Sequence, residues 1–274
     1  MLLSLDSLDR LVSLVVDRGG SVSASEAASH LLAMPAPLED VAIEILGPLV
    51  EHDARLAWRQ TAITLDRERP LPLEDACFVV FDLETTGLAT ANAAICEIGA
   101  VRIRRAAIEE TFETLVAPSG IEPRHRGCLA GISEARLRAA PHVETALRSL
   151  STFAEGSILV AHNARFDVAF VNRELTRLSG TRLAGTVIDT LPLARNLLRG
   201  RIERTNLASL AFFFGVSVEP RHRALPDAQA TSEVFLSLLE LARERGATTV
   251  ADLAELATPK SRLQGRDQTV VAGR

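Results

Sequence analysis

The stretch CFVVFDLETTGL, residues 77–88, constrains the chain more than any other. Phe78, Val79, Val80 and Phe81 form an apolar run rich in the residue types that fill a buried strand. The run then ends in two acids one residue apart, Asp82 and Glu84, followed by Thr85, Thr86 and Gly87. A buried strand has no ordinary use for two carboxylates, because burying a charge costs several kcal/mol unless something compensates it. Either the acids sit at the exposed end of a strand, or a cation is meant to lie between them.

The 274 residues suit one large domain, or one domain and a small companion. A hydrophobic content of 47% is enough for a packed core and too high for disorder. No apolar run approaches the roughly 20 residues that a membrane span needs. The N-terminal MLLSLDSLDRLVSLVVDRGG is broken by Asp6 and Asp9 and lacks a basic start and a small-residue cleavage site, so it is expected to be a helix and not a signal peptide. Cys77, Cys96 and Cys128 form no CxxC pair; they read as thiols of a cytoplasmic protein, without a zinc site. A net charge of −5 argues against a general nucleic-acid coat protein, but an acidic metal site would lower the total of a nuclease. Lys260 is the only lysine, and the arginine excess, with so much alanine, reads as biased genomic composition.

Residues 1–66 are expected to form a small helical domain. Helical spacing in LDRLVSLVV, a capping box from Ser23 to Glu26, a third helix in LEDVAIEILGPLVEHD and a hairpin in RLAWRQTAITL resemble a winged helix. Its third helix carries Glu39, Asp40, Glu44, Glu51 and Asp53 and no basic residue, which suits docking better than a DNA groove. Residues 67–75, with two prolines and many charges, read as a linker. Residues 76–245 open with three strands, then alternate helices and short strands, the pattern of a mixed sheet in an α/β domain. Residues 246–274 read as a helix remnant and a flexible tail.

Two more stretches bring acids to the ends of strands or the starts of helices. In LVAHNARFDVAFVNREL a strand ends at Ala161, Asn163 is placed as an N-cap, and Asp167 falls in the first turns of a helix whose apolar face holds Phe166, Phe170, Val171, Leu175 and Leu178. In RHRALPDAQATSEVF, Pro226 suits a first turn with Asp227 beside it, and His222 lies on the loop before. Taken singly, each acid has a bland reading at a helix start. Together, Asp82, Glu84, Asp167 and Asp227 fall where α/β sheets collect a site, at strand C-termini. Four carboxylates there would repel one another unless divalent cations lay among them, and hard oxygen ligands suit Mg²⁺ or Mn²⁺. Two such metals roughly 4 Å apart can hold a phosphodiester, and a nearby histidine can take a proton from the attacking water.

These stretches resemble the motifs of the DEDDh 3′→5′ exonucleases, the family of the DNA polymerase III epsilon (proofreading) subunit. FDLETTGL, VAHNARFD and HRALPD are similar to its three motifs, in order, over roughly residues 76–245. EIGAV (97–101) and GIS (131–133) sit where that family has similar segments. A sister subgroup replaces the histidine by tyrosine, and this chain contains no tyrosine. The resemblance implies an RNase H-like fold: a mixed five-stranded sheet flanked by helices, here with the small N-terminal domain added. It assigns Asp82, Glu84, Asp167 and Asp227 to two divalent cations and His222 to the general base. It sets Thr85, Thr86, Gly87 and Leu88 along the terminal nucleotide, with His162, Asn163 and Phe166 lining the same cleft; for Phe166, core packing is an equal reading. Glu97 is expected to be structural. Arg195, Arg199, Arg201 and Arg204 form either a solvated face or contacts to substrate phosphates. The implied partner is a single-stranded DNA 3′ end, or RNA, in proofreading or repair, with a polymerase or repair protein as a further partner. The alternatives are an RNA or short-oligonucleotide exonuclease and, from another class, a DNA-binding regulator acting through residues 1–66.

Overall fold

The computed structural model describes residues 10–11, 14–15, 18–33, 35–52, 56–65, 70–88, 93–117, 132, 134–183, 187–218 and 223–258. Near the N-terminus come β1 (Ser21–Ser23), α1 (Ala24–Leu32), α2 (Glu39–His52), β2 (Leu56–Arg59) and β3 (Ala62–Leu65). The strands pair antiparallel in the order β1-β3-β2 over a core that includes Val22, Leu46, Leu56 and Ile63. Ser23 caps α1 by accepting from the Glu26 N–H at 3.2 Å, while the Glu26 carboxylate meets Arg18 at 2.6 Å. The expected hairpin is present, its turn made by Gln60 at φ 57° and Thr61.

The second sheet contains β4 (Cys77–Thr85), β5 (Ile95–Arg104), β6 (Ala107–Leu115), β7 (Ile158–Ala161) and β8 (Val187–Asp189), in the order β6-β5-β4-β7-β8. β4, β5 and β6 run antiparallel, whereas β4, β7 and β8 run parallel, so the sheet is mixed, as the element order implied, and five-stranded, as the family resemblance implied. Its helices are α3 (Glu134–Arg138), α4 (Val143–Phe153), α5 (Arg165–Ser179), α6 (Thr190–Leu197), α7 (Leu207–Phe214), α8 (Ala224–Glu244) and α9 (Val250–Leu256).

β4 is buried on both faces because helices cover both. Phe78 and Val80 pack with Leu193 of α6 and Phe235 and Leu238 of α8, with the Phe78 and Phe235 rings 5.1 Å apart. Val79, Phe81 and Leu83 alternate to the other face, against Leu147 of α4 and Phe170 and Val171 of α5. Each fully buried phenylalanine contributes about 1.5–3 kcal/mol. Before β4, the Leu73 N–H donates to the Thr248 carbonyl at 2.9 Å and the Val250 N–H to the Leu71 carbonyl at 2.9 Å, with Leu73 buried beside α8 and α9. The later half of the proline-rich stretch is thus pinned to the sheet domain. Among the described residues no helix is long and apolar enough to cross a membrane.

Candidate metal centre

The parallel strands β4, β7 and β8 bring their C-terminal ends to one edge, the edge where such sheets place ligands. Asp82 and Glu84 end β4 on the same face as Phe78 and Val80, the face that α8 covers. Asp227 lies in the first turn of α8. Oxygens of Asp82, Glu84 and Asp227 come within 4.8 Å of one another, and all three residues are half-buried.

What brings Asp227 there is a glycine. Gly99 of β5 is the register partner of Asp82. A Cβ at Gly99 would stand 2.3 Å from backbone atoms of Ala224 and Leu225, so only glycine lets the first turn of α8 press onto the sheet beside Asp82. A buried ion pair holds the same turn. Glu97, fully buried opposite Glu84, accepts from Arg223 Nε at 2.9 Å and Nη2 at 2.7 Å, and Arg223 also reaches Glu113 at 2.7 Å. Glu97 is structural, as expected; neither its arginine nor the Gly99 contact was foreseen. EIGAV held both residues, but their partners lie more than 120 positions away.

Asp167 joins the cluster from α5 and stands outside the trio. It is buried, and its Oδ1 accepts from the Leu83 N–H at 3.2 Å, which ties α5 to the end of β4. Burial pushes its carboxyl up to about 7, against two backbone N–H groups that stabilise the ionised form; the charges of Asp189 and Glu84 push it higher. Asp82 is held well above the usual carboxylate range by burial first, then by the charges of Asp167, Asp227, Glu84 and Glu97. The strongest charges acting on Asp82 are therefore all negative. A set of hard oxygen donors in that field fits a divalent cation, which would reverse the sign of the field. His222 lies outside the described residues, as do Cys128, Asp53, the last sixteen residues and most of GIS.

The residues after Glu84 form the next part of the rim. Thr85 and Thr86 are buried and spend their hydroxyls on the chain: the Thr85 hydroxyl donates to the Gly87 carbonyl at 2.7 Å, and the Ala94 N–H donates to Thr86 Oγ1 at 2.9 Å. Arg173 of α5 donates to the Ala93 carbonyl at 2.6 Å and braces the same loop. Among the described residues, a Cβ at Gly87 would meet Ala93 alone, at 3.5 Å, an ordinary van der Waals contact. Leu88 projects with 87% of its surface exposed.

Asn163 is not the N-cap of α5; Ala164 holds that position. Asn163 instead adopts a left-handed φ of 58°, which asparagine tolerates, and its N–H donates to Asp189 Oδ1 at 2.9 Å. Asp189 also caps α6 through the Leu191 N–H, so one carboxylate ties the β7–α5 turn to α6. His162 Nδ1 lies 2.8 Å from the buried Thr190 hydroxyl; burial lowers its pKa, Arg195 adds to that and Asp189 opposes it. Phe166 packs against Phe170, ring centroids 5.0 Å apart, and belongs to the α4–α5 core. Beside this turn opens a cavity of about 700 Å³, lined by His162, Asn163, Arg195, Arg199, Arg204 and Leu207, among others.

The chain matches the exonuclease family (RNase T) over residues 79–235 and belongs to it. Fold and site together define the class as that of an exonuclease domain built on an RNase H-like mixed sheet. Among curated proteins, DNA polymerase III PolC-type of Caldanaerobacter subterraneus subsp. tengcongensis is 43% identical over 176 residues, 64% of this chain and 12% of that protein. The DNA polymerase III subunit epsilon-like protein of Rhodobacter capsulatus is 42% identical over 184 residues, 65% of this chain and 26% of that protein. The chain thus spans only about an eighth to a quarter of these relatives. Among solved structures, Exonuclease X in complex with 5′ overhanging duplex DNA matches with a TM-score of 0.52 at 24% identity, over 66% of this chain and 99% of that one, which is a likeness of fold.

Proposed function

We propose that the chain removes nucleotides one at a time from the 3′ end of single-stranded DNA, releasing nucleoside 5′-monophosphates, in proofreading or repair. The observation that carries this is the convergence of Asp82, Glu84 and Asp227 within 4.8 Å at the end of β4, in a chain of the exonuclease family. DNA is favoured over RNA because the curated relatives are named as DNA polymerase III proteins, and by the same token a polymerase is the partner to test for. The boundaries at residues 66, 75 and 245 and the winged-helix reading of the N-terminal part belong to this proposal. The acidic α2 supports docking for that part and weighs against a duplex-binding regulator.

Asp82, Glu84, Asp167 and Asp227 would hold two divalent cations, Mg²⁺ or Mn²⁺. Such cations supply charge neutralisation at the phosphodiester and stabilise both the attacking and the leaving oxygen. Asp167, braced by the Leu83 N–H, and Asp227, braced through Gly99 and Arg223, keep the carboxylates in place. His222, one residue before the Arg223 anchor, takes the proton from the attacking water, whose oxygen bonds to phosphorus as the bond to the upstream 3′ oxygen breaks. The products are a 5′-monophosphate and a strand one nucleotide shorter with a free 3′ hydroxyl. Thr85, Thr86, Gly87, Leu88, His162 and Asn163 border the terminal nucleotide. Exposed Leu88 suits its base, and Gly87, lacking a side chain, suits close approach of the substrate. Phe166 supports this wall from the core.

The test is digestion of 3′-ended DNA and RNA oligonucleotides with Mg²⁺ or Mn²⁺ by the wild type and by Asp82→Ala and His222→Ala. Stepwise shortening of DNA, abolished by the first change and slowed by roughly 10²–10⁴-fold by the second, is expected. Preference for RNA would move the substrate, and no cleavage of either polymer would overturn the reading.

A further inference from the structure

We propose that the arginine-walled cavity beside His162 is a second binding site, for the sugar–phosphate backbone of the single strand behind its terminal nucleotide. This rests on the exonuclease reading above. Four observations carry it. The first is position. β4 and β7 run parallel with Val80 opposite Val160, so the strand direction carries Asp82 and His162 forward side by side at the same edge. The cavity opens from His162 and Asn163 towards α6 and the start of α7, so a strand whose end lies on the carboxylates has this cavity as its neighbour.

The second is charge. Arg195, Arg199 and Arg204 line the cavity against one acid, Glu203, and burial holds His162 towards its neutral form. This local excess of positive charge stands in a chain whose acids outnumber its bases by 35 to 30. The third is availability. Among the described residues none of these three guanidinium groups forms an ion pair; Arg195 donates only to the Thr205 hydroxyl, at 3.2 Å. Elsewhere on the same domain arginines do find acids, as Arg223 does with Glu97 and Arg177 with Glu174. The fourth is the aromatic edge. Arg201, between two cavity residues, lies over the Phe213 ring at 5.6 Å, and the adjoining Phe212 is 90% exposed. Basic groups that track a backbone beside exposed rings on which bases stack are the chemistry of sequence-independent single-strand binding. A solvated face would explain exposed arginines, but not their gathering in a 700 Å³ cavity at the mouth of the site.

The site should make the enzyme sensitive to strand length. The test uses the full chain and the double variant Arg199→Glu/Arg204→Glu, with Arg199→Gln as a milder substitute if the double variant fails to fold by circular dichroism. Three substrates are compared: the p-nitrophenyl ester of thymidine 5′-monophosphate, a thymidine dinucleotide, and a thymidine strand of about 20 nucleotides. The expected result is a loss of about 10- to 100-fold in kcat/KM on the long strand, with the ester and the dinucleotide within twofold of wild type. Fluorescence anisotropy of the labelled long strand, with Ca²⁺ to prevent turnover, should show the salt slope falling by about 0.7 for each phosphate contact removed. A uridine strand in parallel tells whether the site distinguishes DNA from RNA backbones; equal effects on both support backbone recognition. Equal losses on all three substrates, or no loss on the long one, would overturn the proposal. A wild type that cuts nothing but binds the long strand through these arginines would sink the exonuclease reading and leave this site standing.

Discussion

Asp82 and Glu97 sit on adjacent strands of one sheet face, and the molecule treats their charges in opposite ways. Glu97 is fully buried and held by the Arg223 guanidinium, with the Ala224 N–H at 3.4 Å as well. Asp82, half-buried, is placed where Asp167, Asp227 and Glu84 all press on it. A buried acid with an arginine is a fastener; losing either partner leaves a charge in a place that cannot solvate it. An acid surrounded by acids destabilises the fold for as long as nothing cationic binds it. The contrast separates the acids that build the site from those that use it.

The sharpest way to break this comparison is Asp82→Asn. It should lower kcat/KM on DNA by roughly 10³-fold or more, about 4 kcal/mol of barrier, while the melting temperature of the metal-free protein holds or rises. A fall in both would put Asp82 with Glu97. Glu97→Ala should do the reverse in kind, costing roughly 3–5 kcal/mol in chemical denaturation by stranding Arg223, somewhat less because that guanidinium is partly exposed. Gly99→Ala comes next. Its methyl group would collide with the backbone of α8, and a loss of about 1–3 kcal/mol is expected, together with lower activity as Asp227 is displaced.

Titration sharpens the comparison further. The Asp167 carboxyl is at about 7 in the folded chain and near 3.8 in the unfolded one, so the folded state keeps its proton longer. Its contribution to stability is greatest below about pH 4, falls as pH rises and levels off above about 7. In chelator, denaturation midpoints should decline across that window, and Asp167→Asn should flatten the decline. Saturating Mg²⁺ should flatten it as well, if the acids hold the cation. The smallest effect belongs to Glu113→Gln. Its side of the pair with Arg223 is exposed, and a change of about 0.2–1 kcal/mol in the same assay is expected.

The elements were legible where local chemistry decides them. A β-rich apolar run ending in acids marked β4, Ser23 marked the start of α1, and Pro226 marked the first turn of α8. The three motifs, read in order, brought Asp82, Glu84 and Asp227 together before any fold was known. What stayed hidden was set by contacts distant in sequence. The clash that makes Gly99 obligatory exists only once α8 lies on β5, and Arg223 gains its partners only across the sheet. Asn163 misled for a related reason. Its residue type favours an N-cap, but Asp189 captures its backbone and turns it left-handed, and the cap falls to Ala164.

The clasp between Leu71–Leu73 and Thr248–Val250 has a consequence beyond packing. It holds the chain entering β4 beside the segment that connects α8 to α9, and Leu73 lies on the upstream side of β4, roughly 30 Å of extended chain before Asp82. A polypeptide fused ahead of Leu71 would therefore start beside the connection between α8 and α9, at the opposite end of β4 from Asp82, Glu84 and Asp227.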